Sequence, residues 1–250
     1  MAFLTPPSNP ESSTVESNAN APQIQLQNIT RSYGDGETRV MALDHVDLEI
    51  ARGDFLALAG PSGSGKTTLL NLVGSIDTPS AGRIRFEDLD LTALSESRRT
   101  RFRNDRVGVI FQDFNLIPVL TAAENVELAL QLKGGLRSTE RRGAVDAMLE
   151  RVGLAELGHR LPRELSGGQQ QRVAIARALV KGPGVVLADE PTANLDSETA
   201  RGILDLMSSL NEDLGTTCLF STHDPMVMEH ARRLVRLRDG QVESIEEREN

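Results

Sequence analysis

The fold of this chain is decided by the stretch Phe55-Leu56-Ala57-Leu58-Ala59-Gly60-Pro61-Ser62-Gly63-Ser64-Gly65-Lys66-Thr67-Thr68. Its first five residues are continuously apolar, which is typical of a strand buried on both faces of a parallel sheet. The glycines that follow permit backbone conformations in which successive N–H groups point at one anion. Residues 66–73 then predict a helix, whose N-terminus adds partial positive charge at the same point. The order of strand, loop and helix therefore predicts a phosphate-binding loop.

Two side chains of this loop have predicted chemical roles. The ammonium of Lys66 adds a mobile cation for the phosphates, and the Thr67 hydroxyl is placed to ligate Mg²⁺. A loop rich in glycine and serine can match such a pattern by chance, but the flanking strand and helix favour the functional interpretation. We therefore predict nucleotide binding by Gly60, Pro61, Ser62, Gly63, Ser64, Gly65, Lys66, Thr67 and Thr68.

Two acidic residues follow a second buried strand, residues 185–188. Ligands of open α/β sheets bind at the carboxyl ends of the strands, so we expect Asp189 and Glu190 beside the phosphate loop. One carboxylate can hold Mg²⁺ while the next polarises an attacking water. The alternative is a solvated acidic turn. We predict that Asp189 is a metal ligand and that Glu190 is the general base.

Two further polar residues each follow a candidate strand. His223 follows residues 217–222, where it can donate to a γ-phosphate and help fix the water and the base. Gln112 follows the apolar run 107–111, where its neutral amide can contact the metal or the water. A His or Gln at the end of a strand more often has a structural role. These two residues are candidates because they are expected beside the other predicted site residues. The predicted catalytic residues are Lys66, Gln112, Glu190 and His223, and the predicted metal ligands are Thr67, Gln112 and Asp189.

A second glycine-rich stretch is Leu165-Ser166-Gly167-Gly168-Gln169-Gln170-Gln171-Arg172. Ser166 precedes a helix-prone segment, which puts a hydroxyl and free N–H groups at a helix N-terminus, a ready anion site. Serine is also a good N-cap whether or not a ligand binds. We expect both properties here.

The order and spacing of these features resemble those of ABC-type ATPase subunits over nearly the whole chain from about Ile24 onward. Sequences around Gln112 and the second glycine-rich stretch further resemble the branch that serves lipoprotein release and macrolide export. Asp113 departs from that pattern, since Gln is frequent there, and so the contact surface for a membrane partner is expected to differ. The features that carry the resemblance are the phosphate loop, Gln112, residues 165–172, Asp189-Glu190, Asn194-Leu195-Asp196 and His223.

The resemblance implies roles for residues that composition and spacing leave open. Tyr33 would stack on adenine. Ser166, Gly167 and Gly168 would contact the γ-phosphate of an ATP held by a second subunit, and Asp196 would lie at the dimer interface. The implied cofactors are ATP and Mg²⁺. The implied partners are a second ATPase subunit, as a homodimer or a pair, and an integral membrane permease.

The expected fold class is α/β: a P-loop NTPase core with a RecA-like, mostly parallel sheet, an antiparallel β subdomain and an inserted α-helical lobe. Residues 24–27 and 46–50 alternate with the period of half-exposed strands, and residues 234–242 read as a hairpin. The charged, helix-prone segment from about 89 to 166 predicts the inserted lobe. Residues 1–22 are rich in Pro, Ser and Asn and are predicted to be disordered, which leaves an ATPase domain over 23–250.

Composition sets further limits. The 27 Lys and Arg against 36 Asp and Glu give a net charge of −9, which does not support nucleic-acid binding. The single cysteine, Cys218, cannot form an intrachain disulfide and predicts a core residue in a reducing compartment. No apolar run approaches the ~20 residues that cross a bilayer, and the start lacks a signal peptide pattern. We expect a cytoplasmic protein held at the inner face of the membrane by its partner.

The predicted function is that of an ATPase subunit that pairs around two ATP molecules and drives a membrane partner in export or membrane extraction. A mechanical signalling complex, such as one that regulates cell-wall hydrolysis, is the alternative. A DNA-repair or translation ABC protein is disfavoured, because neither a long coiled-coil insertion nor a second cassette fits in 250 residues. The apolar loop from Phe114 to Val119 is a candidate docking surface, with ordinary packing on the core as its alternative.

Overall fold

The computed structural model describes residues 21–248. The predicted disordered segment 1–22 lies outside the described residues except for its last two. The strands are β1 (Ile24–Tyr33), β2 (Val40–Ile50), β3 (Phe55–Ala59), β4 (Ala81–Phe86), β5 (Leu89–Asp90), β6 (Val107–Ile110), β7 (Val185–Asp189), β8 (Thr217–Thr222), β9 (Arg233–Arg238) and β10 (Gln241–Glu247). The helices are α1 (Lys66–Val73), α2 (Glu96–Arg106), α3 (Ala122–Lys133), α4 (Ser138–Arg151), α5 (Gly167–Leu179), α6 (Ser197–Leu214) and α7 (Pro225–His230).

A six-stranded, mostly parallel sheet forms the centre of the described structure. Its strand order is β10-β9-β3-β8-β7-β6, and only β10 pairs antiparallel to its neighbour. All residues of β3 and β8 are buried. Parallel strands covered on both faces need such continuous apolar sequence, and this confirms the strands predicted from residues 55–59, 185–188 and 217–222.

The two faces of this sheet pack against different layers. Leu56 and Leu219 join a core with α1 and the four-stranded antiparallel sheet β2-β1-β4-β5. Phe55, Cys218 and Phe220 point to the opposite core, which is completed by α3, α4, α5 and α6. Cys218 is buried as predicted, and burial raises the pKa of its thiol to about 12. The predicted α/β class with an antiparallel β subdomain is confirmed.

The segment predicted as an inserted helical lobe, 89–166, is interrupted by a core strand. Residues 107–110 form β6 at the edge of the six-stranded sheet, paired in parallel with β7. The helices α3 and α4, which follow β6, share one apolar cluster with α5 and β8. This strand corresponds to the apolar run 107–111, from which a strand was predicted, and the helices of the segment precede and follow it.

The parallel order of β3, β8, β7 and β6 brings their carboxyl ends to one edge of the sheet. Those ends continue into the phosphate loop, His223, Glu190 and Gln112 respectively. Residues far apart in sequence therefore meet there because of strand order.

Candidate active site

A cavity of about 840 Å³ lies at this edge of the sheet. The predicted residues that line it are Tyr33, Pro61, Ser62, Gly63, Gly65, Lys66, Thr67, Thr68, Gln112, Asp189, Glu190 and His223. Sequence reasoning missed Val40, Met41, Ala42 and Ser221, which also line it. The first three belong to β2 in the antiparallel sheet, so only the packing of one sheet on the other brings them to the phosphate loop.

The phosphate loop passes close to β2. Gly65, the N-cap of α1, has φ of 100°, and a Cβ there would lie 2.5 Å from the carbonyl oxygen of Ala42. A side chain at this position would be strained and would also collide with β2. The Lys66 ammonium donates to the carbonyl oxygens of Gly60 at 2.8 Å and Pro61 at 3.0 Å, which holds it across the loop.

The Asp189 carboxylate is positioned from two neighbouring elements. The Ser221 hydroxyl donates to it at 2.7 Å from β8, where Ser221 is the direct partner of Asp189 in the sheet. The Thr67 hydroxyl lies 3.3 and 3.4 Å from its two oxygens. Ser221 could have been suspected as a hydroxyl at the end of an otherwise apolar strand, but its partner is set by strand register.

Glu190 turns away from the strand that carries it. Its φ of 47° is left-handed, a costly conformation for a residue with a side chain. Its carboxylate contacts His223 Nδ1 at 2.7 Å and accepts from the Thr222 hydroxyl at 3.4 Å. The two adjacent acids, Asp189 and Glu190, therefore have separate partners. When Nδ1–H donates to Glu190, the Nε2 atom of His223 can donate to a phosphate only in the imidazolium form.

The donor set of this edge suits Mg²⁺. Thr67 and Asp189 offer a hydroxyl and a carboxylate within 3.4 Å of each other, and hard oxygen ligands are those that Mg²⁺ prefers. No group of three or more His, Cys, Asp and Glu side chains suited to a metal exists among residues 21–248. Mg²⁺ is commonly held by only one or two carboxylates together with phosphates and waters.

Gln112 lines the cavity at the start of a loop tied to two other elements. Its carbonyl oxygen accepts from the Asn194 amide at 3.1 Å, and the same amide donates to the Asp113 carboxylate at 2.9 Å. Arg177 of α5 donates to the carbonyl oxygens of Phe114 and Asn115. Asp113, which stands where Gln is frequent in the branch that this chain resembles, therefore bonds to a residue of its own chain.

Five predicted nucleotide contacts do not line the cavity: Gly60, Ser64, Ser166, Gly167 and Gly168. The Ser166 hydroxyl accepts from the N–H of Gln169 at 3.3 Å, which makes it the N-cap of α5. A Cβ on Gly168 would lie 2.5 Å from the Thr199 methyl, so a side chain at this position would have to displace Thr199 of the same chain. Asp196 caps α6 and accepts from the N–H groups of Glu198 and Thr199.

Comparison with known proteins agrees with this arrangement. A family model described as ABC transporter matches residues 43–193. The chain is 48% identical over 88% of its length to the macrolide export ATP-binding/permease protein MacB of Syntrophobacter fumaroxidans, of which it covers 31%. It is 45% identical to an uncharacterized ABC transporter ATP-binding protein of Mycobacterium tuberculosis, with 92% of each chain covered. It therefore spans about a third of the MacB protein and most of the Mycobacterium protein.

A solved structure extends the likeness to three dimensions. It is the dimeric, post-hydrolysis state of the ATP-binding cassette MJ0796 bound to ADP and Pi, with a TM-score of 0.82 and 43% identity. The match covers 91% of this chain and 99% of that one, which comes from Methanocaldococcus jannaschii. This chain belongs to the ABC transporter family. Within that family it is an ATPase cassette. Among residues 21–248, no helix has the length and apolar character needed to span a membrane.

Proposed function

We propose that this chain hydrolyses ATP as one of a pair of cassettes and drives a membrane permease in export or membrane extraction of a substrate. The observation that carries the proposal is the contact of Glu190 with His223 in a cavity shared with the phosphate loop. That arrangement places a carboxylate, an imidazole and a phosphate-binding loop around one volume. It fits attack of water on a γ-phosphate.

Each residue of the cavity has a role in this proposal. The phosphate loop and Lys66 bind the phosphates, and Asp189 with Thr67 holds Mg²⁺, which would neutralise charge on the phosphate oxygens. Glu190 polarises the attacking water as general base, with His223 fixing its orientation. Gln112 contacts the water or the metal, and Tyr33 stacks on the adenine.

The paired arrangement is supported by residues that lie outside this cavity. Ser166 to Gly168 form an exposed or half-exposed helix N-terminus that their own chain does not bring to the phosphate loop. The solved dimer of a related cassette bound to ADP and Pi supports pairing of this chain as well. We propose that Ser166, Gly167 and Gly168 of each copy contact the ATP of the other.

Export is supported by the relative named as a macrolide export ATP-binding/permease protein. That protein is about three times as long as the part this chain matches, and we propose that a membrane permease supplies the transport path for this chain. We propose a peripheral position at the inner face of the membrane. The loop after Gln112 remains our candidate contact: Leu116 packs against the core, whereas Val119 is 79% exposed.

The test is the Glu190→Gln variant. Because a positioned base contributes about 10²–10⁴ to the rate, we expect turnover to fall about a hundredfold or more while ATP binding is retained. Hydrolysis reopens the pair, so the variant should run as a dimer in gel filtration with ATP and Mg²⁺ and as a monomer without them. Near-normal hydrolysis would contradict the assignment of the base.

The matched control is Glu229→Gln, which neutralises an exposed carboxylate on α7 that does not line the cavity. It should hydrolyse ATP as the wild type does. If Glu190→Gln loses turnover yet stays monomeric with ATP, the base assignment stands and the paired arrangement fails.

A further inference from the structure

We propose that Arg31 and Asp77 are positioning residues that hold the Tyr33 ring in place for the base of the nucleotide. The proposal rests on the proposed function, because it assumes that Tyr33 contacts adenine. It assigns a role to two residues that do not line the cavity themselves.

The geometry is a closed triangle of contacts. The Tyr33 hydroxyl donates to one Asp77 carboxylate oxygen at 2.9 Å. The Arg31 guanidinium pairs with the other oxygen of the same carboxylate at 2.9 Å. Its central carbon also lies 4.5 Å from the centroid of the Tyr33 ring. Each member therefore contacts the other two, so the ring is fixed at its edge and on one face.

The arrangement leaves one ring face for a ligand. Tyr33 is 41% exposed and lines the cavity, whereas the Arg31 and Asp77 side chains are about three-quarters covered. A cation over one face of an aromatic ring is held there by the negative potential of that face. Since Arg31 occupies one face, a planar base can stack only on the other.

Asp77 also ties the ring to the phosphate loop. It follows α1, and its N–H bonds to the carbonyl oxygen of Asn71 in the last turn of that helix. The same helix begins at Lys66 in the phosphate loop. Tyr33 belongs to the antiparallel sheet, so its bond to Asp77 bridges the layer that holds the base and the layer that holds the phosphates. The triangle thus sets the distance between the two ends of the nucleotide site.

The first experiment compares binding of ATP with binding of inorganic tripolyphosphate to the full chain by calorimetry, both with Mg²⁺. Tripolyphosphate has the phosphates and lacks the base. We expect Asp77→Ala to weaken ATP binding about three- to tenfold and Arg31→Gln about two- to fivefold. Tripolyphosphate binding should stay within about twofold of wild type in both.

Two further readouts separate positioning from general destabilisation. The variants should raise KM for ATP and leave kcat within about twofold. Tyr33→Phe removes the same O–H bond as Asp77→Ala, so the effects of the two changes on ATP affinity should combine to less than their product. The matched control is Arg83→Gln, which breaks an ion pair with Asp90 on the same sheet and should change neither affinity.

Each other outcome is decisive. If Tyr33→Ala weakens ATP binding about tenfold while Arg31→Gln and Asp77→Ala bind as wild type, the triangle has no positioning role and the adenine assignment stands. If Tyr33→Ala also binds ATP as wild type, the adenine assignment fails and the triangle fails with it. Equal loss of ATP and tripolyphosphate binding in Asp77→Ala would show a structural role and overturn the proposal.

Discussion

The cavity and the N-terminus of α5 both contain residues predicted to contact ATP, but their surroundings differ. In the cavity, side chains from different strands contact one another: Ser221 donates to Asp189, and His223 contacts Glu190. At the N-terminus of α5, the Ser166 hydroxyl accepts from the N–H of Gln169, and the N–H of Ser166 donates to the Gln169 side-chain oxygen, so both bonds are local to one helix turn. Asp196 likewise caps its own helix.

Because of this difference, the two regions need different evidence before a ligand contact is assigned to them. In the cavity, polar side chains from distant segments of one chain meet, and this arrangement favours a ligand-binding site. A capping serine is explained by its own helix alone. The proposed ligand contact of Ser166 to Gly168 requires a second copy, and experiments must separate the helix cap from that contact.

The largest effect on ATP binding is expected from Lys66→Ala, which tests the cavity. Loss of the cation that we propose binds the phosphate oxygens should weaken ATP binding about ten- to a hundredfold, measured by calorimetry with Mg²⁺. Lys181→Ala is the matched control, because its ammonium also donates to a backbone carbonyl, that of Arg103, outside this cavity. Similar losses in both variants would mean that the lysines act only through the fold.

The next effect tests the N-terminus of α5 with Ser166→Asp. Aspartate is as good an N-cap as serine, so the helix should keep its stability and the variant should bind its own ATP normally. A carboxylate facing the γ-phosphate of another copy would instead oppose pairing, since like charges across an interface cost several kcal/mol. We expect turnover, measured by phosphate release, to fall more than tenfold.

Ser95→Asp makes the same change at the N-cap of α2 and should hydrolyse ATP as wild type. Wild-type turnover in Ser166→Asp would make this region a helix cap and nothing more, and would remove the contrast with the cavity.

The smallest effect is expected at Asp196. The N–H and hydroxyl of Thr199 hold the pKa of Asp196 below its ordinary value of 3.8. A lowered folded-state pKa means that the charge stabilises the fold above pH 3.8 and that this contribution is lost as pH falls through the folded-state value. Asp196→Asn keeps a capping oxygen, so its Tm should fall by only about 1–3 °C at pH 7.

Thermal unfolding at pH 7 and at low pH checks this expectation, because the difference between wild type and Asp196→Asn should shrink as the wild-type carboxylate becomes protonated. Asp213→Asn, on the last turns of the same helix, removes a charge that the helix N-terminus does not stabilise and should not lower the Tm. A constant difference across pH would show that the charge of Asp196 contributes nothing at this terminus.

The sequence predicted most of the central sheet because its strands are buried on both faces. Such strands consist of continuous apolar residues, and this pattern needs no knowledge of neighbours. The helix after the phosphate loop was predicted for a similar reason, since the glycines before it mark its start. The short strand β6 was also predicted from its apolar run, but local composition does not show which sheet such a run joins, because that depends on the strand beside it.

The sequence by itself determined the strands, the phosphate loop and the types of residue that follow each strand, because these depend on local pattern. Only the tertiary structure decided which of them meet. Strand order placed Ser221 beside Asp189, and the packing of two sheets brought β2 to the phosphate loop. The Arg31, Tyr33 and Asp77 triangle joins residues from two layers. Contacts between distant segments are set by register and layer packing, which no single segment encodes.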